Sequence, residues 1–281
     1  MLVPEIIFES DELLVIDKPA GLIVHSDGRT VEPSMAEWVL KKYPALAEVG
    51  EPWISPQGEK ILLPGIVHRL DRTTSGVMLL AKTQEMYLYL KQQFTERKIE
   101  KTYMVWVYGH PETSSGQVVA EIVRAEIFLA AAPALENPSV VSKRATTSES
   151  KKGWAARSTT IDDTRAAITK WKALKETTDA PTGEPASLLE IEPLTGRTHQ
   201  IRVHISSIGH PVIADHLYAP DRAPLLNFQR PALHASTISL TLAGEQKSFS
   251  APPPKDFHYA SLLQNTRIRT GEDSGGYAGH L

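Results

Sequence analysis

Short apolar runs separated by polar turns dominate the first hundred residues and predict a strand-rich fold. Leu13–Ile16 and Val77–Ala81 have the length of buried strands, and the aromatic and β-branched run Tyr103–Tyr108 predicts another. Alternation along this last run places Tyr103 and Trp106 on opposite faces of the strand. Strands with a few interspersed helices indicate the α+β class with a largely antiparallel sheet.

Three segments have the spacing or the end signals of helices. The first covers residues 33–42, where Ser34 can serve as the N-cap. The second runs from a Thr83 cap to about Lys98, and its apolar stripe is expected to pack on the core. The third follows Thr198, the expected cap, and ends near Gly209.

Residues 130–185 interrupt this regularity. The segment contains an Ala-rich stretch, a Ser/Thr/Lys-rich stretch and a turn with two prolines and a glycine, a composition typical of loops or partial disorder. Within it, 166–171 predicts a strand. We therefore predict one domain over 1–265 with a loop-rich insertion at 130–185, followed by a Gly-rich, disordered tail at 266–281.

Composition excludes several classes of protein. The chain has no cysteine, so disulfides and thiolate metal sites are impossible. Neither a signal peptide nor an apolar run of bilayer length is present, and we expect a soluble, cytoplasmic protein with no membrane partner. The net charge is −3, yet residues 143–175 carry nine basic residues against three acidic ones. That run is either a solvated loop or a basic face for nucleic acid.

The strongest candidate for a site is the stretch from Ile66 to Gly76. Asp71 lies between Arg69 and Arg72, and neighbouring cations favour a charged carboxylate. The residues after it have turn chemistry and end in a glycine that is free to take a positive φ. An aspartate on such a turn is either a functional group on a rigid scaffold or a structural partner of the two arginines.

Other site chemistries find less support in the sequence. A glycoside hydrolase needs two carboxylates, and no second acid accompanies Asp71. His199 and His204 are five residues apart, whereas two ligands on one helix face need a spacing of four, so no metal site is predicted. No serine has the flanking glycines of a nucleophile elbow.

Two long stretches resemble one known family. His68–Asp71 followed by Thr74–Gly76 resembles the HRLDxxTSG signature of the RluA family of RNA pseudouridine synthases, and Leu194–His204 resembles the TGRTHQIRVH motif of that family. Asp11–His25 is similar to the family's opening motif, and Lys101–Tyr103 fits its KxY element. The resemblance covers most of the chain and thins out between 123 and 185 and after 257.

The resemblance implies the α+β fold of these synthases, a mostly antiparallel mixed sheet with a central cleft and flanking helices. It implies an isomerase that detaches uracil from C1′ of the ribose, turns the base and rejoins it through carbon. This reaction involves no redox change and loses no group, so we expect neither a cofactor nor a metal. A lone aspartate can be its covalent nucleophile, at either the sugar C1′ or the uracil ring.

The resemblance also implies roles for single residues. Asp71 would be the nucleophile, Arg202 its fixed cationic partner, and Tyr103 the ring that stacks on the flipped uracil. Arg69 would fill the gap that the flipped base leaves. The other residues expected to contact RNA are Lys18, His68, Arg197 and His199.

RNA is therefore the expected partner, either transfer RNA or ribosomal RNA, bound by a monomer. Some family members carry an S4-type RNA-binding module, but the opening motif here begins at Asp11 and we expect no such module. The chain lacks the family's common His-Pro pair near 240–244, which leaves the RNA target open. The alternatives are a non-catalytic RNA-binding or assembly factor and a nucleoside or glycoside hydrolase.

Overall fold

The computed structural model describes residues 2–26, 32–55, 58–128, 150–158, 166–257 and 267–268. The helices of two or more turns are α1 (Met35–Lys42), α2 (Gln84–Thr95) and α3 (Gln200–Ser207). The strands are β1 (Glu5–Glu9), β2 (Leu13–Lys18), β3 (Trp53–Ile54), β4 (Lys60–Ile61), β5 (Ser75–Ala81), β6 (Glu100–Tyr108), β7 (Ser115–Phe128), β8 (Ser150–Ser158), β9 (Ala166–Thr178), β10 (Pro185–Pro193), β11 (Leu233–Leu242), β12 (Glu245–Ser250) and β13 (Arg267–Ile268).

These elements form two compact units. The first comprises Met1–Met104 and Leu233–Lys255, and the second comprises Val105–Ala232 and Asp256–Leu281. The α+β class predicted from the sequence is confirmed. The proposed domain boundary at residue 265 stays a prediction. Among the described residues, no helix is long and apolar enough to cross a membrane.

In the first unit, β2 and β5 form the middle of a sheet. β1 pairs with β2, β2 with β5, and β12 with β11, all antiparallel. β5 and β11 pair in parallel. All seven residues of β5 are buried, as a continuous apolar run predicts for a central strand. The core of this unit lies where these strands meet α1 and α2.

The helix starts in this unit follow local rules. Ser34 caps α1 by accepting a hydrogen bond from the Glu37 amide at 3.2 Å, while the Glu37 carboxylate accepts one from the Ser34 amide at 3.1 Å. Thr83 caps α2 by accepting from the Met86 amide at 3.2 Å. Both predicted caps are confirmed. α2 ends at Thr95, earlier than the predicted end near Lys98.

In the second unit, β9 is the central strand. β10 and β7 pair with its two sides, β8 continues outward from β7, and all of these pairings are antiparallel. The strand predicted over 166–171 is confirmed as part of β9. The prediction of loops is wrong at 150–158, where β8 forms by pairing with the second half of β7, and at 172–178, which continue β9. Residues 129–149, 159–165 and most of the predicted tail lie outside the described residues.

Two lysines of the basic segment that lie on β9 face acidic residues of β10. Lys172 lies opposite Glu190 of β10, and Lys170 lies opposite Glu192. The Lys170 ammonium is 3.9 Å from the Glu192 carboxylate. Because opposite charges face each other along this ladder, the sheet surface here presents no simple basic face.

Candidate active site

Asp71 lies on a turn that backbone hydrogen bonds close from both sides. The Thr74 amide donates to the Asp71 carbonyl at 3.1 Å, and the Gly21 amide donates to the Arg72 carbonyl at 2.7 Å. The chain after β2 is thereby fastened to the chain after Asp71. The Asp71 residue is half-buried, so its position is fixed while it stays accessible.

Lys18, at the end of β2, supports the same turn from inside. The residue is fully buried, and Nζ donates to the carbonyls of Leu22 at 2.8 Å, Pro19 at 2.9 Å and Arg72 at 3.3 Å. An ammonium held by carbonyls satisfies both the charge and the backbone acceptors. These contacts give Lys18 a positioning role, and its predicted contact with RNA stays a prediction.

The end of the turn is locked by a distant histidine. Ser75 Oγ lies 3.0 Å from Nδ1 of His234 on β11, and Nε2 of His234 donates to the Ala251 carbonyl at 3.1 Å. Gly76 has φ 120°, and a Cβ at this position would stand 2.1 Å from the Ala235 carbonyl oxygen. The predicted positive φ is confirmed, and only glycine permits the parallel pairing of β5 with β11 here.

The Tyr103 side chain, on β6, lies close enough to Asp71 for the charge of the carboxylate to act on its hydroxyl. The pKa of the Tyr103 hydroxyl is raised well above its ordinary value, first because burial disfavours a phenolate and second because the Asp71 carboxylate is close. Tyr103 packs against the core of the first unit and is half-buried. The structure therefore brings Asp71 and Tyr103 together, with the phenol protonated at neutral pH.

His68 faces the interior. Its Nε2 accepts a hydrogen bond from the Leu79 amide of β5 at 3.0 Å, and its ring lies 4.8 Å from that of Phe94. Burial, with a smaller contribution from Lys101, lowers the pKa of His68 to about 3, so the ring is neutral. These contacts fasten the turn segment to β5. The RNA-binding role predicted for His68 stays a prediction.

The two arginines beside Asp71 have different surroundings. Arg72 forms an ion pair with Glu32 at 2.6 Å. Arg69 is exposed, and its Nη1 lies 3.4 Å from Nε2 of His25. An exposed guanidinium two residues from the candidate nucleophile is placed where it can meet a ligand.

Arg202, on α3 in the second unit, is held by two neighbours. Its Nε donates to Oδ2 of Asp215 at 2.6 Å and its Nη2 donates to Oδ1 at 2.8 Å. The guanidinium also stands over the Tyr218 ring, with its carbon 5.0 Å from the ring centroid. Asp215 is fully buried, and its Oδ1 accepts from the amides of Leu217 and Tyr218 as well. The orientation of the guanidinium is thus fixed from two directions.

Gln200, two residues before Arg202, fixes the position of the loop that precedes α3. Its amide donates to the Ile168 carbonyl and to Oγ1 of Thr169, each at 3.0 Å, and its carbonyl accepts from Oγ1 of Thr195 at 2.7 Å. The Arg197 amide donates to the same carbonyl at 3.0 Å. One buried amide therefore ties the loop before α3 to β9.

The structure corrects the predicted start of α3. The cap is His199, not Thr198, and His199 has a left-handed φ of 55° with no side-chain capping bond. The Gln200 side chain instead accepts a hydrogen bond from the Arg197 amide of the loop. Nδ1 of His199 lies 2.9 Å from the Tyr218 hydroxyl. Arg197 is exposed beside it. Arg202, His199 and Arg197 accordingly form the second group of predicted site residues, and their roles stay predictions.

His204 has a structural environment. His204 is buried, and its Nδ1 lies 2.9 Å from Oγ1 of Thr169. Burial lowers the pKa of its imidazole to about 4. Over the part of the chain that the structure describes, no group of three or more His, Asp or Glu side chains is arranged to hold a metal.

Sequence reasoning missed Asp215, and although the resemblance places Tyr218 and His234 in family elements near the cleft, it does not identify their partners. Asp215 follows the apolar run Val212–Ala214, and a lone acid after such a run is a signal for a buried ion pair. His234 lies in an equally apolar setting on β11. Its serine partner is 159 residues away, which no local pattern reveals.

Comparison with known proteins gives consistent results. Residues 12–207 match the family model described as RNA pseudouridylate synthase. The ribosomal large subunit pseudouridine synthase D of Zymomonas mobilis is 31% identical, over 90% of this chain and 70% of that protein. The dual-specificity RNA pseudouridine synthase RluA of Vibrio parahaemolyticus is 28% identical, over 84% of this chain and 76% of that protein. The solved structure of human RNA pseudouridylate synthase domain containing 4 has a TM-score of 0.63 and 23% identity and covers 95% of each chain, which supports the fold.

Proposed function

Because this chain belongs to the RNA pseudouridylate synthase family and is accordingly an RNA pseudouridine synthase, we propose that Asp71 is the nucleophile of the isomerisation. The observation that carries the proposal is the Asp71 carboxylate beside Tyr103 on a turn fastened to β2 and β11. A reactive carboxylate needs such a rigid support, because small displacements of reacting groups are costly. The non-catalytic binding factor finds no support.

The reaction exchanges one bond to the sugar for another. The bond from C1′ to N1 of uracil breaks, and a bond from C1′ to C5 forms. C5 loses a proton and N1 gains one, so atoms and charge balance. In our proposal Asp71 adds to C1′ or to the uracil ring and leaves again when the new bond has formed.

Tyr103 acts in this scheme as a neutral ring. Its raised pKa keeps the phenol protonated at physiological pH, so it is not a phenolate base. A half-buried aromatic ring next to the nucleophile is suited to stack on a uracil that has been turned out of the RNA. Stacking would hold the detached base close to the sugar until it is rejoined.

The arginines supply the positive charge. We propose Arg202 as the cationic partner of the nucleophile, oriented for this task by Asp215 and Tyr218. Exposed Arg69 would enter the space that the flipped base leaves, and exposed Arg197 would contact phosphate. His199 would contact RNA as well, in an orientation set by its hydrogen bond to the Tyr218 hydroxyl.

We further propose that the substrate is large-subunit ribosomal RNA and that the protein is a cytoplasmic monomer. The support for the RNA is that the Zymomonas mobilis relative is a ribosomal large subunit pseudouridine synthase by name, whereas the Vibrio parahaemolyticus relative is named as having dual specificity. Both ribosomal and transfer RNA therefore belong in the first assay. Light scattering after gel filtration tests the monomer.

Tritium release tests the reaction directly. Ribosomal and transfer RNA transcripts labelled at uridine C5 are incubated with wild type, with Asp71→Ala and with Asp11→Asn, an exposed acid that serves as the control. Wild type and the control are expected to release tritium, and Asp71→Ala is not. Release by Asp71→Ala at the wild-type rate would show that another group is the nucleophile, and free uracil in the products would indicate a hydrolase.

A further inference from the structure

We propose that Trp53 and His25 form an aromatic shelf beside Arg69 that binds a nucleobase of the substrate RNA next to the target uridine. The inference rests on the proposed function, because it takes the Arg69 side of the Asp71 turn as the side on which RNA lies. Neither Trp53 nor His25 has a role in the chemistry described so far.

The shelf is continuous in space. The rings of His25 and Trp53 are 5.7 Å apart between centroids, with an interplanar angle of 50°. Nη1 of Arg69 is 3.4 Å from Nε2 of His25. Both rings are partly exposed, and Arg69 is exposed. Since Asp71 follows Arg69 by two residues, the shelf adjoins the turn that carries the nucleophile.

Hydrogen bonds determine which nitrogen of His25 carries the hydrogen. Nδ1 lies 2.8 Å from the Ser26 carbonyl oxygen, which can only accept, so Nδ1 is the donor. Nε2 is then the acceptor that faces the Arg69 guanidinium. The shelf is therefore two neutral rings with a cation at one edge. This combination stacks on a base of any identity and attracts the adjoining phosphate.

A small hairpin presents Trp53. β3 and β4 pair Trp53 with Ile61 and Ile54 with Lys60. Successive side chains of a strand point to opposite faces of the sheet, so Trp53 and Ile54 lie on different faces. Ile54 is 58% exposed. Its substitution is a matched control that alters the same hairpin without altering the shelf.

The chemistry of the shelf favours a nucleobase over an apolar protein segment. An apolar partner would bind where aliphatic side chains are exposed, and on this hairpin that is the Ile54 face. The Trp53 face instead leads to an imidazole and a guanidinium. Continuity with the Asp71 turn then identifies the base as a neighbour of the target uridine in the same RNA.

The test is binding of an eight-nucleotide oligouridylate to the full-length protein with Asp71→Asn, a background that prevents turnover. Trp53→Ala is expected to weaken binding about 5- to 150-fold, the range for stacking of one base on one aromatic ring. Trp53→Phe should bind within about threefold of the parent, because it keeps an aromatic face. Ile54→Ala should bind like the parent.

Tryptophan fluorescence gives a second readout that a folding defect does not imitate. Oligouridylate should quench the fluorescence of the parent, and Trp53→Phe should bind with that quenching removed. Binding of Trp53→Ala equal to the parent, or undiminished quenching in Trp53→Phe, overturns the shelf. Tritium release is measured separately with wild-type Asp71. If release is absent while stacking is observed, the proposed function fails and the shelf stands.

Discussion

The Arg202 guanidinium and the Asp215 carboxylate form a two-point ion pair inside the second unit, with Nε to Oδ2 at 2.6 Å and Nη2 to Oδ1 at 2.8 Å. Two parallel hydrogen bonds prevent rotation of the guanidinium about its axis, which a single bond would allow. Asp215 is itself oriented by two backbone amides. The cation thus has a fixed direction before any substrate arrives.

Asp215→Asn should therefore lower both stability and turnover. The substitution leaves the Arg202 charge without its buried counter-ion, which typically costs about 3–5 kcal/mol in unfolding free energy. Turnover should fall further than the unfolded fraction explains, because the guanidinium loses its orientation. Urea unfolding and single-turnover tritium release measure the two effects.

The control for this change is Asp221→Asn. Asp221 is exposed, and its substitution should alter the unfolding free energy by less than about 0.5 kcal/mol. An Asp215→Asn protein with unchanged stability and unchanged turnover would contradict the importance of the pair.

Asp17 predicts a pH-dependent change in stability. It lies on β2 opposite Glu5, and burial, with a contribution from the Glu5 charge, raises its pKa to about 6 from 3.8. Above pH 6 the residue is ionised in both states, and its charge costs stability in the folded state. As the pH falls from about 6 to about 4 the folded state takes up the proton first, and this cost disappears.

Asp17→Asn should hence stabilise the protein at pH 7.5 by about 1–2 kcal/mol, which is the pKa difference discounted for partial exposure. At pH 4 the two proteins should unfold at the same urea concentration. Asp11→Asn, an exposed turn residue, is the control and should give no pH-dependent difference. Equal stabilisation at both pH values would mean that charge is not the cause.

Lys18→Met separates positioning from RNA binding. Loss of the ammonium removes the donor that joins the carbonyls of Leu22 and Arg72, so the Asp71 turn should loosen and turnover should fall. The dependence of RNA affinity on salt should stay unchanged, because a buried ammonium neutralises no phosphate. Lys41→Met, on the exposed side of α1, is the control. A salt slope reduced by about one in Lys18→Met would instead establish a phosphate contact.

Gly76→Ala tests the close approach of β5 and β11. Its Cβ would meet the Ala235 carbonyl oxygen at 2.1 Å, so the strands must separate, and we expect a loss of about 3 kcal/mol or more in unfolding free energy. Gly183 also has a positive φ, 73°, but nothing lies within 4 Å of the position of its Cβ, so Gly183→Ala should cost only about 1–2 kcal/mol. Similar losses in the two variants would show that backbone strain alone matters at Gly76.

Local signals account for the parts of the fold that the sequence predicts. Ser34 and Thr83 cap their helices through amides three residues away, and the apolar run of β5 is buried throughout. The segment that becomes β8 has no such signal, because it is a strand only through its pairing with β7. A pattern within one segment does not report the partner that the segment will meet.

The same distinction holds for the candidate site. Asp71, Tyr103 and Arg202 lie in recognisable motifs, and the positive φ of Gly76 follows from its place in the turn. The residues that hold them are found only in three dimensions. Gln200 binds groups 31 and 32 residues away, and the N-cap of α3 is His199 rather than the predicted Thr198.

The hydrogen bond between Ser75 and His234 has a consequence for the order in which the protein is assembled during synthesis. β5 can complete its parallel pairing only after β11 has been synthesised. The hydrogen bond from Nε2 of His234 to the Ala251 carbonyl can form only after Ala251 has been added. Chains are made from the N-terminus, and long-range pairings form late. The nucleophile turn is thus translated early, but its contacts with His234 can form only after the chain up to Ala251 has been made.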